Sequence, residues 1–274
     1  MFLMKVLDTM KNKPEWIFFE NVKGFLGSET HGVWCDTLER NGYTWRQYLL
    51  TPFQFRVPNH RMRFYMVCRR DPLEGYNNNR SDVFEKVRNC ECTSIKSCKV
   101  NGRDLNSEFL EIKEDIGTVH EIGDNGTSGP LEVHGIQNYI LPRASADELF
   151  LDEKSLQGKF SRGLSFVGMN DRCTFCFTSN YGRTLHKAVG SLFHVQCNGG
   201  KLIYREPDMA RLHLGMIRRF DPKEILNIFG FPEDYCFPEN TSTVNRFAGV
   251  GQSINIVVVR ALIHSELCFA TSST

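Results

Sequence analysis

A continuous apolar run, Trp16–Phe19, ends directly at an acidic residue, Glu20, close to the start of the chain. An unbroken run of this kind is typical of a parallel strand that is covered on both faces, whereas an edge strand alternates apolar and polar residues. We therefore predict an interior strand of an open α/β sheet. Ligands of such sheets bind beyond the carboxyl ends of the strands, where Glu20 and Asn21 are expected to lie. The alternative is a loop carboxylate exposed to water.

The composition of the chain is that of a folded protein. Its 274 residues and 41% hydrophobic content are enough for one large core, or for one core and a smaller lobe. The net charge is +5 over residues 1–70, −6 over residues 71–170 and +2 over residues 171–274. A basic N-terminal block suits a polyanionic partner, although a solvated charge asymmetry without a partner fits the same distribution.

The sequence contains no signal for a membrane or a secreted protein. No apolar run reaches the length that spans a bilayer, and the first residues lack the apolar core and small-residue cleavage site of a signal peptide. We expect an intracellular protein, cytoplasmic or nuclear. Ten cysteines are scattered along the chain, with two local clusters, Cys90/Cys92 with Cys98, and Cys173/Cys176. A structural zinc site needs two regularly spaced pairs, and only the second cluster is a proper pair. We therefore predict free thiols and no metal site.

The first 70 residues have the alternation of strands and helices typical of an α/β domain. A helix is predicted through residues 31–40, with a stop at Asn41-Gly42, followed by a strand at residues 43–50 and another that ends at residue 70. No Gly-rich cofactor turn of the G-x-G-x-x-G type occurs in the chain.

The remaining chain divides in two. Residues 71–215 begin with a Gly- and Asn-rich stretch of poor periodicity, and we expect a smaller lobe there. Residues 216–274 are expected to return to the first domain. They contain a helix start at Asp221-Pro222 and then a Gly-rich turn at residues 249–253 that leads into an apolar helix.

Five short motifs carry a family resemblance. They are Glu20-Asn21-Val22, Asn59-His60-Arg61-Met62-Arg63, Cys176-Phe177-Thr178, RRFDPKEILNIFGFP at residues 218–232, and Gly251-Gln252-Ser253. In this order they resemble the second half of a cytosine-C5 methyltransferase, most closely the eukaryotic branch that methylates the anticodon loop of aspartate tRNA. The resemblance implies an α/β fold, with a partial Rossmann-like sheet of the S-adenosylmethionine-dependent methyltransferases and a target-recognition lobe. Residues 1–70 and 216–274 would belong to the catalytic domain, and residues 71–215 to that lobe with a poorly matched insertion.

The resemblance also implies how the first two motifs act. Family enzymes add a cysteine thiolate to C6 of cytosine, and the carbanion that forms at C5 attacks the methyl group of S-adenosylmethionine. Glu20 would hold N3 and N4 of the flipped base, supported by Asn21 and Val22. Arg61 and Arg63 would bind O2 of the base and a nearby phosphate. Because residues two apart share a face of a strand, we expect both arginines on one face. The alternatives are a carboxylate that caps a turn and two exposed strand arginines.

The later motifs have less specific implied roles. Asn59 supports the arginine motif. The Cys176-Phe177-Thr178 motif falls in the family's target-recognition segment, although a buried cysteine and a core aromatic fit equally well. The Gly251-Gln252-Ser253 motif stands where the family has a Gly-Asn-Ser turn that helps to enclose the cofactor. Gln in place of Asn lengthens a side chain in a turn that is expected to be close-packed, which disfavours these cofactor contacts.

Two family loops have no counterpart in this chain. The Gly-rich cofactor loop and the Pro-Cys loop that carries the nucleophile precede the Glu-Asn-Val motif in the family, and Cys35 and Cys68 lie on the wrong predicted elements to replace it. We therefore expect an N-terminally truncated homologue that has the tRNA anticodon loop as its partner. It would bind S-adenosylmethionine weakly or not at all and would be inactive alone. The alternatives are a non-catalytic tRNA-binding remnant and a DNA-directed member of the superfamily.

Overall fold

A computed structural model describes residues 2–70, 76–85, 99–100, 103–104, 133–142, 147–157, 164–197 and 213–272. The helices in these ranges are α1 (Phe2–Thr9), α2 (Glu29–Arg40), α3 (Glu153–Gln157), α4 (Pro222–Ile228), α5 (Thr243–Gln252) and α6 (Ile256–Ser272). The strands are β1 (Trp16–Val22), β2 (Thr44–Leu50), β3 (Asn59–His60), β4 (Arg63–Arg69), β5 (Val83–Phe84), β6 (Lys99–Val100), β7 (Arg103–Asp104), β8 (Phe166–Val167), β9 (Thr174–Phe175), β10 (Leu192–His194) and β11 (Ile217–Arg218).

The main sheet has the strand order β1-β4-β2-β5. Strand β4 pairs antiparallel with both β1 and β2, and β2 pairs parallel with β5. Within the described residues β1 has β4 as its one neighbour and pairs antiparallel with it, so the predicted parallel, interior strand at Trp16–Phe19 is wrong there. The prediction that both faces of the strand are covered is confirmed. Trp16 and Phe18 pack on one core cluster, while Ile17 and Phe19 pack on the other. The unbroken apolar run therefore indicates that both faces of the strand are covered, but it does not indicate whether the strand lies inside the sheet or at its edge.

The two core clusters lie on opposite faces of this sheet. One joins the sheet to α1 and α2 and includes Trp34, Leu38 and Phe64. The other joins it to the C-terminal helices and includes Phe220 and Val258. Full burial of each such large side chain contributes about 1.5–3 kcal/mol, so the sheet is held from both sides.

Local signals placed two helices correctly. Helix α2 is capped by the Ser28 hydroxyl, which accepts a hydrogen bond from His31 N, and Gly42 beyond its end has φ +77°. Helix α4 begins at Asp221, with Pro222 at its first position and a reciprocal pair of capping hydrogen bonds between Asp221 and Glu224. Both predicted helices are therefore confirmed. The side chains that cap them lie within three residues of the groups they satisfy.

A buried polar cluster fastens α6 to the main sheet. Nη1 of Arg46 in β2 lies 3.8 Å from Oε1 of Glu266 in α6, and both side chains are almost fully buried. The hydroxyl groups of Tyr48 and Tyr76 donate hydrogen bonds to the same carboxylate. The ring of Phe84 lies 4.4 Å from the guanidinium carbon. Each charge therefore has a partner where it would be costly to bury alone.

The remaining described segments form smaller sheets. Strand β10 pairs parallel with β8 and antiparallel with β11, and β3 pairs parallel with β9. The β3–β9 pairing places Asn59 and His60 beside Thr174 and Phe175, directly before the predicted target-recognition motif. The proposed boundaries at residues 70 and 215 stay predictions. Most of the Gly- and Asn-rich insertion, residues 105–132 included, lies outside the described residues.

The predicted Gly-rich turn at residues 249–253 is helical instead. Helix α5 continues to Gln252, and the break before α6 lies at Ser253–Asn255. Together the two helices make Thr243–Glu266 long and apolar enough, by length and composition alone, to cross a bilayer, with 33% of the stretch buried. A single stretch of this kind is a weak indication. Its side chains Phe247 and Val250 belong to the core described above.

Candidate functional site

Glu20 and Arg63 form an ion pair on one face of the main sheet. Glu20 lies within β1, which continues to Val22, so the acid sits two residues before the strand end instead of beyond it. Arg63 opens β4 opposite Val22, and its Nε lies 3.3 Å from Oε1 of Glu20. The exposed fractions of the two side chains are 24% for Glu20 and 16% for Arg63. The pair is thus partly accessible to solvent at the edge of the sheet.

Two opposed effects act on the Glu20 carboxyl. Burial raises its pKa above the usual value, and the nearby Arg63 and Arg61 guanidinium groups act in the other direction. Burial is the larger of these effects, so the protonated form of Glu20 is favoured more than in an exposed glutamate. A carboxyl group in this state can donate one hydrogen bond and accept another.

Arg61 does not share a strand face with Arg63. It lies in the connection between β3 and β4 and is 3% exposed, so the predicted alternation along one strand is wrong. Its guanidinium donates hydrogen bonds to the backbone carbonyls of Phe177 (2.9 Å), Gly251 (3.2 Å) and Ser253 (2.8 Å). We call this set of contacts the clasp. The clasp joins the segment of Arg61 to those of Phe177 and of Gly251–Ser253. Burial of the guanidinium lowers the pKa of Arg61. The clasp leaves Arg63 as the arginine placed to meet a ligand.

The Cys176-Phe177-Thr178 motif divides among three environments. The Cys176 thiol accepts hydrogen bonds from Nη1 of Arg61 (3.4 Å) and Nη2 of Arg63 (3.6 Å). Phe177 is 1% exposed, packs edge-on against Tyr181 and belongs to the core, which is the alternative that the sequence left open for it. The backbone of Thr178 lies against Gly251, where an added Cβ would stand 2.2 Å from the Thr178 carbonyl carbon.

Two asparagine side chains hold the backbone around the site through hydrogen bonds. Asn59 is fully buried, and its Nδ2 donates hydrogen bonds to Oγ1 of Thr174 (3.0 Å) and to the carbonyl of Phe175 (3.1 Å). Asn21 accepts a hydrogen bond from the backbone N–H of Val22 through its Oδ1. The two asparagines fix backbone, which agrees with the supporting part predicted for them, while Val22 is 55% exposed.

The Gly251-Gln252-Ser253 motif does not fit a cofactor cradle by itself. Ser253 donates its hydroxyl to the Val250 carbonyl and gives its own carbonyl to Arg61, while the Gln252 side chain is exposed to solvent. The expectation that Gln252 sits in a close-packed turn is therefore wrong. Since the polar groups of Ser253 already have partners, we derive no step through S-adenosylmethionine at this motif.

Sequence reasoning missed two features of this region. One is the clasp, because the carbonyls that Arg61 binds are more than 100 residues away in sequence. The other is the 54% exposed side chain of Phe175, directly before Cys176. A single aromatic residue in a two-residue strand has no periodic signal. Among the described residues no group of three or more His, Cys, Asp or Glu side chains could hold a metal ion.

Known proteins resemble this chain in sequence and in fold. The profile of the family described as C-5 cytosine-specific DNA methylase matches residues 3–267. The tRNA (cytosine(38)-C(5))-methyltransferase of Bos taurus is 27% identical over 291 residues, which cover 95% of this chain and 73% of that protein. The DNA (cytosine-5)-methyltransferase of Dictyostelium discoideum is 27% identical over 268 residues, which cover 95% of this chain and 68% of that protein.

Solved structures show the same fold. The S. pombe Dnmt2 methyltransferase matches with a TM-score of 0.69 and 23% identity, over 99% of this chain and 72% of that chain. The Entamoeba histolytica methyltransferase EhMeth matches with a TM-score of 0.70 and 19% identity, over 99% of this chain and 69% of that chain. These matches confirm the predicted α/β fold of the methyltransferase type.

Proposed function

Because the chain belongs to the C-5 cytosine-specific methyltransferase family, we propose that its Glu20–Arg63 pair holds an unpaired cytosine of a tRNA anticodon loop for methylation at C5. The observation that carries the proposal is the 3.3 Å contact between Glu20 and Arg63 at an accessible edge of the sheet. The relatives named as tRNA (cytosine(38)-C(5))-methyltransferases support an RNA substrate. The Dictyostelium relative carries a DNA name and defines the alternative.

The pair matches the Watson–Crick edge of cytosine. One oxygen of Glu20 can accept from the N4 amino group, and the protonated carboxyl can donate to N3, which lowers electron density on the ring as a nucleophile adds to C6. Arg63 supplies a positive charge beside Glu20 that can bind O2 of the base. Uracil presents the opposite pattern, an N–H at position 3 and a carbonyl at position 4. Because Arg63 Nε contacts Oε1 of Glu20, Oε1 is the accepting oxygen and the proton belongs on Oε2. A base held with position 4 at Oε1 and position 3 at Oε2 should therefore be cytosine.

Substitution of one base in the RNA tests the recognition step. We expect the chain to bind an RNA hairpin with a loop cytosine about 5- to 100-fold more tightly than the hairpin with uracil at that position, the usual range for a two-point base contact. The Glu20→Ala variant should lose this preference. Glu29→Gln, an exposed carboxylate on α2, is the matched control and should keep it. Equal binding of both hairpins by the unchanged chain would contradict the proposal.

We also propose that the 274 residues alone transfer no methyl group. S-adenosylmethionine, the donor in this family, supplies the methyl group, and the attacking thiolate belongs to a Pro-Cys loop that has no counterpart in this sequence. Loss of the nucleophile from a cooperating catalytic set usually removes most of the rate enhancement.

Methyl incorporation from labelled S-adenosylmethionine into aspartate tRNA is the assay. We expect none above background for the chain alone. A relative's N-terminal half fused before Met1 should give turnover that Glu20→Ala abolishes. Turnover by the unextended chain that disappears in Cys176→Ser would show that the thiol between the two arginines serves, and would contradict the proposal. Binding of the hairpin without turnover in the fused chain would favour a non-catalytic RNA-binding protein.

A further inference from the structure

Phe175 is an exposed aromatic side chain at the end of β9, one residue before Cys176. Its exposed fraction is 54%, against 1% for Phe177 two residues later. Within the described part of the chain its ring contacts no other aromatic ring. The next residue, Cys176, places its thiol 3.6 Å from Nη2 of Arg63. The apolar ring is therefore attached to the backbone one residue before a side chain that contacts Arg63 of the proposed base site.

The backbone of Phe175 is held on both sides. Its N–H donates a hydrogen bond to Oγ of Ser191 (2.9 Å), and its carbonyl accepts one from Nδ2 of Asn59 (3.1 Å). The preceding Thr174 is buried and donates its hydroxyl to the Pro58 carbonyl (2.7 Å). Side chains of Asn59 and Ser191 thus fix the attachment point of a ring that itself stays in solvent. A flat surface on a fixed base loses little conformational entropy when a ligand covers it.

The chemistry of the neighbouring pair limits what the ring can meet. Sequence-specific RNA recognition uses unpaired loop bases that stack on aromatic side chains, and stacking is available to every base. Because the Glu20–Arg63 pair is proposed above to hold a base, a nucleic-acid occupant is favoured over a protein partner for this ring. Removal of a cytosine from its stack also leaves a neighbouring base with one uncovered face.

Building on the proposed function, we propose that Phe175 stacks on the loop nucleotide adjacent to the target cytosine in the substrate RNA. Phe175 is then a positioning residue: it holds the flanking base, and the backbone contacts of Asn59 and Ser191 keep that base at a fixed distance from Glu20 and Arg63. The contact adds affinity and a preference for RNA whose loop presents a free base face at this place.

The experiment uses the 274-residue chain and a synthetic RNA hairpin with a loop cytosine. The base analogue 2-aminopurine replaces each loop neighbour of the cytosine in turn, because stacking on an aromatic ring changes its fluorescence. We expect a fluorescence change at one neighbour, lost in Phe175→Leu and kept in Phe175→Trp. Affinity should fall about 5- to 100-fold in Phe175→Ala, while the slope of log affinity against log salt stays unchanged because no phosphate contact is removed.

The matched control is Phe2→Leu, whose side chain is 82% exposed on α1. It should leave the fluorescence change and the affinity as they are. The same affinity and fluorescence in Phe175→Leu as in the parent would overturn the stacking inference alone, provided that the parent prefers the cytosine hairpin. No preference for the cytosine hairpin in the parent overturns the proposed function and the inference with it. Tighter binding of the corresponding DNA hairpin, with the same dependence on Phe175, would overturn RNA as the occupant.

Discussion

Arg61 and Arg63 are separated by a single residue in sequence, but one is buried and the other is partly exposed. Arg61 is buried in the clasp and donates to three backbone carbonyls, whereas Arg63 lies on what we call the open face, formed by Glu20, Val22 and Arg63. A buried guanidinium with fixed partners stabilises one arrangement of the backbone and is costly to disturb. A partly exposed ion pair contributes less to folding than the clasp and can exchange its partner for a ligand. The same motif thus provides both the frame of the site and its contact surface.

The largest effect that would test this contrast is on the clasp. Arg61→Met leaves three buried carbonyls without their donor, and we expect the free energy of unfolding to fall by about 3–5 kcal/mol. Arg63→Met should lower it by about 1 kcal/mol or less, since exposed pairs contribute little. Urea denaturation of both variants measures the difference. Similar losses for the two would show that the open face is structural as well. If Arg61→Met yields no folded protein while Arg63→Met does, the contrast stands.

A second test concerns the close contact that the clasp maintains. An added Cβ at Gly251 would lie 2.2 Å from the Thr178 carbonyl carbon and 2.3 Å from Ser179 N, so Gly251→Ala must separate α5 from this segment. We expect a loss of about 2–3 kcal/mol in the free energy of unfolding. Gly249 lies in the same helix with nothing within 4 Å of its Cβ position. Gly249→Ala should therefore stabilise the protein by about 0.5–1 kcal/mol, and equal signs for the two variants would contradict the packing described here.

Sequence patterns predicted the local parts of this molecule and missed the clasp. The helix caps at Ser28 and Asp221 and the strand at Thr44–Leu50 depend on residues near in sequence, and they can be read from it. The motif order also led to the family. Burial of Arg61 depends on carbonyls supplied by distant segments, and the alternation of residues along a presumed strand has no information about them.

The same limit applies to Gly251 and Phe177. A glycine before a Gln-Ser pair reads as a turn, but Gly251 is helical because α5 must approach the Thr178 backbone. For Phe177 the sequence allowed either a target-recognition residue or a core aromatic, and its ring fills the core. In each case a tertiary contact decides between alternatives that the local sequence leaves open. The resemblance implied that Glu20 and both arginines serve one base, but it did not predict the 3.3 Å contact between Glu20 and Arg63.

A third prediction concerns the charge on the open face and is smaller than the first two. Because burial raises the pKa of Glu20 in the folded protein, the folded state binds this proton more tightly than the unfolded state does. The resulting stabilisation is complete below the unfolded value near 4.5 and is lost as the pH rises through the folded pKa. The free energy of unfolding of the parent should therefore decline relative to Glu20→Gln over that interval.

Paired urea denaturation series across this pH range measure the effect. Gln252→Asn serves as the control, because Gln252 is exposed and its replacement removes no titratable group, so its difference from the parent should stay flat over the same interval. A parent that gains stability relative to Glu20→Gln as the pH rises would mean that attraction by Arg63 outweighs burial. The open face would then resemble the clasp in character.

The smallest expected effect is at the residue next to Gly251. Gln252 is exposed at the end of α5, so Gln252→Asn removes one methylene from solvent and touches neither the clasp nor the open face. We expect a change within about 0.5 kcal/mol in the free energy of unfolding and unchanged affinity for the cytosine hairpin. Gly251→Ala, one residue earlier, is the contrast. A large loss in Gln252→Asn would place the Gln252 amide in a contact with the frame, because an exposed side chain has no packing to lose. In that case Gln252 would have to be counted with the residues of the clasp and not with the exposed surface.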